Sequence, residues 1–160
     1  MNPKTIKTGK KRFSSKVFEQ LSEVEEAING ILSKRTSDAE LTVLVKLIDA
    51  PYANLSEVEQ RNGGLRARWK ELLGPNTHFG FFNNEDIGSV FIAGSLTGVF
   101  LFDVEDRKLA ELSEGPYGIL RGLGIDEAKA NPHIKKLSQG RYLLLIRNTY
   151  VDGNAQKSPV

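Results

Sequence analysis

The sequence predicts an α+β fold, a ferredoxin-like plait (βαββαβ) with an inserted helical middle segment. Three observations lead there: a closing strand signal at Arg141–Arg147, an earlier one at Leu41–Ile48, and helical stripes that open on capping signals between and before them. At 160 residues the chain fits one domain that buries about two-thirds of its unfolded surface, so it needs neither metal nor disulfide. The division expected is a flexible basic N-terminal tail over 1–15, a single domain over 16–150 and a disordered polar tail over 151–160.

Val17 and Phe18 form a short first strand. Ser22 and Glu25 have the spacing of a capping box, and Val24, Ala27, Ile28, Ile31 and Leu32 recur at helical intervals behind it. After the polar turn Ser33 to Asp38, the run beginning at Leu41 is apolar on both faces and belongs in the middle of a sheet. Pro51 ends it. Ser56 and Glu59 repeat the capping-box spacing; Leu65, Trp69, Leu72 and Leu73 make a second stripe, divided from the first part by Gly63 and Gly64 and closed by Gly74 and Pro75.

The third strand comes from Phe79–Phe82 or from Val90–Ala93, and periodicity does not choose between them. Asp126 is the expected N-cap of a helix carrying Ala130, Ile134 and Leu137, with Pro132 kinking it or restarting it from Asn131. Gly140 stops that helix. Tyr142, Leu144 and Ile146 then face one way and Leu143 and Leu145 the other.

Two stretches resemble a known family, the general stress protein 17M-like domains, including cyanobacterial relatives labelled signal transduction histidine kinase-like. One is Lys16-Val17-Phe18 followed by Ala27-Ile28. The other runs from Gly88-Ser89-Val90-Phe91-Ile92-Ala93-Gly94-Ser95-Leu96 through Gly122-Leu123-Gly124-Ile125 to Gly140, Tyr142-Leu143-Leu144-Leu145-Ile146 and Asn148-Thr149. The resemblance covers roughly half of the chain and implies a stress-associated domain without an established biochemical activity. It carries over no catalytic residue. The chain departs from the family in placing Asp103–Lys108 where relatives hold a Gly- and Ala-rich helical pair, and Asp126 where they hold proline.

Composition narrows the chemistry. Zero cysteines exclude thiol catalysis and thiolate ligation and fit a cytoplasmic location. Met1 to Ser15 has no apolar core behind its basic residues, so no secretory leader is expected, and Ser89–Phe102 is too short to span a membrane. Twenty-two Lys and Arg against 20 Asp and Glu leave a net charge of only +2.

No kinase signature is present: His78 and His133 read as surface or packing residues, and Gly118, Gly122 and Gly124 match neither phosphate-binding spacing. Gly94, Gly98 and Gly122 are expected where backbones approach closely. In Gly94-Ser95-Leu96-Thr97-Gly98 the serine adjoins the first glycine, which a nucleophile elbow does not permit. Asp103, Glu105 and Asp106 lack the spacing of a calcium loop. No catalytic, cofactor or metal site is therefore expected.

The function expected is a non-enzymatic stress-response or regulatory module acting by self-association, as a homodimer, or through a protein partner. The alternatives are small-ligand sensing and single-stranded nucleic-acid binding. The latter would stack bases on Phe79 and Phe81, as on the third strand of an RNA-recognition domain, and hold phosphates with Arg66, Arg68 and Lys70.

Overall fold

A strand that is apolar in both directions is stable only where both sheet faces are covered, and the computed structural model gives Leu41–Lys46 that position. The structure describes residues 10–34, 38–48 and 51–150, with backbone alone at 10–12, 149 and 150. Its elements are β1 (Lys10–Phe18), α1 (Leu21–Leu32), β2 (Glu40–Lys46), α2 (Leu55–Asn62), α3 (Leu65–Leu73), β3 (Phe79–Asn84), β4 (Gly88–Gly94), α4 (Thr97–Phe100), the short ribbon β5 (Asp103–Val104) and β6 (Arg107–Lys108), a 3-10 turn at Leu109–Glu111, α5 (Gly115–Gly122), α6 (Glu127–Ser138) and β7 (Tyr142–Tyr150).

The five long strands form one antiparallel sheet in the order β1-β7-β2-β4-β3, with β2 in the centre as its pattern requires. Val43, Val45, Phe91, Ala93, Leu144 and Ile146 pack on one face against Val24 and Ile28 of α1, Val58 of α2 and Leu65 and Trp69 of α3. Leu44, Val90, Ile92, Leu143 and Leu145 pack on the other against Phe100, Leu120 of α5 and Ala130 and Leu137 of α6. The result is three layers, helices over both faces.

Several expectations change. The simple four-strand plait is not the order observed: there are five strands, and β1 lies at the edge outside β7 instead of inside the sheet. Both candidates for the third strand are strands, paired as a hairpin from Phe79↔Ala93 to Asn84↔Gly88. Lys10–Ser15, expected in a flexible tail, form most of β1 and pair along β7 from Lys10↔Tyr150 to Ser15↔Leu145. Backbone pairing to a buried neighbour orders this stretch despite its charge. Residues 1–9 and 151–160, the remainder of the two expected tails, lie outside the described residues.

Both capping signals act earlier than expected. Glu23, not Glu25, accepts from the Gln20 amide at 3.0 Å at the head of α1. Asn54 accepts from the Glu57 amide at 2.9 Å at the head of α2. Glu59 instead receives the Arg66 amide at 3.1 Å in the first turn of α3, beyond a break made by Gly63 and Gly64 at φ of 75° and 70°.

Pro132 does not restart α6, which runs unbroken from Glu127 to Ser138. Buried Ala130 and Leu137 on either side of the proline hold the helix to the sheet. The helix ends in a Schellman motif, with the Gly140 amide donating to Leu137 O at 3.0 Å and the Arg141 amide to Lys136 O at 3.1 Å.

Among the glycines, Gly94 is the closest backbone approach in the sheet. Its φ is 132°, and a Cβ there would strike the Leu41 carbonyl oxygen and lie 2.5 Å from Thr42 Cα. We therefore expect Gly94→Ala to lower the urea-unfolding free energy by about 3 kcal/mol through overpacking and backbone strain. Gly98→Ala, with nothing within 4 Å of the added carbon, serves as the neutral control.

Candidate functional site

The residues nominated for nucleic-acid contact are not gathered on one surface. Phe79 and Phe81 lie on the sheet face covered by α1, α2 and α3, packed against the cluster that contains Trp69, and Phe79 stacks on Phe91 with ring centroids 6.0 Å apart. Arg66, Arg68 and Lys70 point outward from α3, so the helix stands between the cations and the rings. Two of the cations have carboxylate neighbours: Arg66 Nε lies 3.8 Å from Glu59, and Arg68 donates to Glu25 at 3.3 Å. Base stacking of the RNA-recognition type needs an open sheet face, and here helices cover both.

Of the two histidines, His78 is exposed, while His133 joins α6 to the edge strand through a 2.8 Å contact between its Nδ1 and Ser15 Oγ. Ser15 is buried, and no described carboxylate is hydrogen-bonded to the ring, so this pair ties a helix to β1 and does not form a nucleophile with its base. Burial, then Lys136, then Lys129 hold the imidazole below its ordinary value. Among the described residues no group of three or more His, Asp or Glu is placed to hold a metal ion, and no helix is long and apolar enough to cross a membrane.

An apolar concave surface lies on the outer side of α4 and α5. It is a groove of about 560 Å³ lined by Val99, Leu109, Leu112, Gly115, Gly118, Ile119, Gly122 and Leu123, with Glu114 at its end. One buried side chain fixes its wall: Asn84 donates to Ala110 O at 2.9 Å and Leu112 O at 3.2 Å while accepting from the Asp86 and Ile87 amides. The β3–β4 hairpin is thereby stitched to the segment that enters α5. Gly115 is required by this close entry, since a Cβ there would strike the Leu109 carbonyl oxygen.

Gly118 and Gly122 are different. Both are exposed and helical, and a Cβ at either meets nothing within 4 Å. The close approach expected at Gly122 and Gly98 does not occur among the described residues. The interior helical Gly118 costs roughly 0.5–1 kcal/mol relative to alanine, Gly122 is the last residue of α5, and packing among the described residues gives no reason for Gly118. The sequence carries the signal as Gly118 and Gly122 four residues apart beside Ile119 and Leu123.

The chain matches no protein-family model, no curated protein and no solved structure.

The His133 environment yields a pH test. Its folded value lies below the unfolded one, so the unfolded chain takes the proton first and stability is lost as pH falls through about 6.5. The loss ends once the folded imidazole is also protonated. Urea midpoints measured between about pH 7.5 and 5.5 should fall more steeply for wild type than for His133→Gln; parallel curves would contradict the assignment.

Proposed function

We propose that this chain is a non-enzymatic regulatory module that works by pairing with a second copy of itself through α5. The observation that carries the reading is the pair Gly118 and Gly122, which leave open space inside an apolar groove that nothing among the described residues fills. Small residues four apart let two helix backbones approach closely, and Val99, at 41% exposure, supplies apolar surface beside them.

Charge supports a second copy as the occupant. Glu114 and Arg121 lie seven residues apart, on the stripe that carries Gly118. In an antiparallel crossing about a two-fold axis near Gly118, each Glu114 meets the other copy's Arg121, so the surface is self-complementary.

The same reading takes β7-β2-β4-β3 as a ferredoxin-like plait, with β2, β3, β4 and β7 in the plait's four strand positions and β1 and α1 added at its β7 edge. A stress-associated role in the cytoplasm rests on the resemblance to 17M-like domains and on the absence of cysteine.

Sedimentation of tag-free protein should give a dimer at tens of micromolar. Gly118→Ala should stabilise the monomer by about 0.5–1 kcal/mol, and Gly118→Ala and Gly122→Ala should each weaken the dimer. Arg121→Glu should dissociate it, and Glu114→Arg combined with Arg121→Glu should restore it. A monomer at all concentrations, or a dimer indifferent to these changes, would overturn the proposal.

A further inference from the structure

Among the described residues β1 has a strand on one side only, β7. The ladder fixes which of its backbone groups face outward. Leu41 O accepts from the Ser95 amide and the Leu47 amide donates to Ser89 O, so the odd-numbered residues of β2 turn to β4 and the even-numbered ones to β7. Through Thr42↔Leu145 and Leu44↔Leu143, then Leu144↔Lys16 and Ile146↔Ser14, the backbones of Ser14 and Lys16 are taken up by β7. Those of Phe13, Ser15 and Val17 face outward, each with its N–H and C=O along one open edge.

Helix α6 runs beside that edge. The 2.8 Å contact between His133 Nδ1 and Ser15 Oγ places one flank of the helix over β1. Lys129 and Lys136 stand four residues before and three after His133, on the same flank, and after burial they are what lowers its imidazole. Both lysines are exposed, and neither makes an ion pair with a described residue. The acidic start of the helix faces elsewhere, since Asp126 and Glu127 border a separate depression with Arg121 and Asn131. Strand β1 adds to the positive charge, opening with Lys10, Lys11 and Arg12 and carrying an exposed Lys16.

We infer that β1 takes an acidic extended peptide as a sixth strand, its backbone paired with Phe13, Ser15 and Val17 and the carboxylates of alternate residues reaching Lys129 and Lys136. An open edge offers donors and acceptors in turn, and a peptide backbone answers both. A nucleic-acid backbone brings phosphate acceptors and leaves the outward carbonyls unmet. A second copy of β1 would set like charge against like charge across the new pair. The spacing also fits: helix residues seven apart lie about 10 Å apart along the axis, and residues on one face of a strand repeat every ~7 Å, so two or three carboxylates span the two lysines. The surface does not involve α5, and its occupancy does not depend on pairing there.

The probe is a capped eight-residue peptide of alternating glutamate and valine, titrated into the full chain at about 50 mM salt, where screening is modest, with amide chemical shifts and hydrogen exchange as readouts. It should saturate by about 1 mM, shift the amides of Phe13, Ser15, Val17, Lys129 and Lys136, and slow exchange at Phe13, Ser15 and Val17 at least tenfold. A peptide with glutamine for glutamate should bind at least tenfold more weakly. The same loss is expected for the glutamate peptide when Lys129→Glu and Lys136→Glu are combined, two exposed positions outside the core. Only one set of alternate peptide residues can pair with β1, so of two peptides N-methylated at the glutamates or at the valines, one should lose binding and the other keep it. No saturation, equal binding of the glutamine peptide, equal effects of the two N-methylations, affinity unchanged in the double variant, or tighter binding of an eight-nucleotide single-stranded DNA at the same residues would refute it.

Discussion

Leu143, Leu144 and Leu145 of β7 alternate between opposite faces of the sheet, yet none is more than 1% exposed. A strand with this pattern cannot face water on either side, and the rest of the architecture answers that demand. Helices must lie over both faces, and β7 must have a strand on each flank. The basic first strand supplies one flank and β2 the other.

Covering two faces with short helices leaves polar backbone to satisfy inside the protein, and buried or half-buried polar side chains do this. Thr42 accepts from the Leu96 amide at 2.9 Å, fixing the turn from β4 into α4. Thr97 donates to Gly94 O at 2.8 Å in the same turn. Asn83 accepts from Ser89 Oγ and the Tyr52 amide and donates back to Tyr52 O, which joins the hairpin to the loop before α2. Asn84 in the same way sets the wall of the α5 groove. An unsatisfied partner at such sites costs about 1–3 kcal/mol, which makes the shape of that surface a property of the fold.

Strong periodicity made much of this legible from sequence. The two-faced strands at Leu41 and Tyr142, the stripes of α1 and α3, the break at Gly63 and Gly64 and the stop at Gly140 all follow from local side-chain patterns. What was illegible depends on partners distant in sequence. Lys10–Ser15 looks like a tail because its charge gives no strand signal, and only pairing with β7, well over a hundred residues away, orders it. Phe79 and Phe81 resemble a stacking platform until α3 is placed over them. The glycines of α5 read as packing or phosphate-binding residues until the space around Gly118 and Gly122 is seen to be open.

The central claim is that β1 is a full member of a five-stranded sheet closed on both faces. Native-state hydrogen exchange along β7 tests it most directly, because alternate amides in an antiparallel ladder point to opposite neighbours. If β1 is a full member, β7 amides directed at β1 within Leu143–Ile146 exchange within about tenfold of those directed at β2, both governed by large-scale opening. Exchange of the β1-directed set at nearly unprotected rates would contradict the account, leaving a four-stranded sheet whose leucine-rich edge is bare.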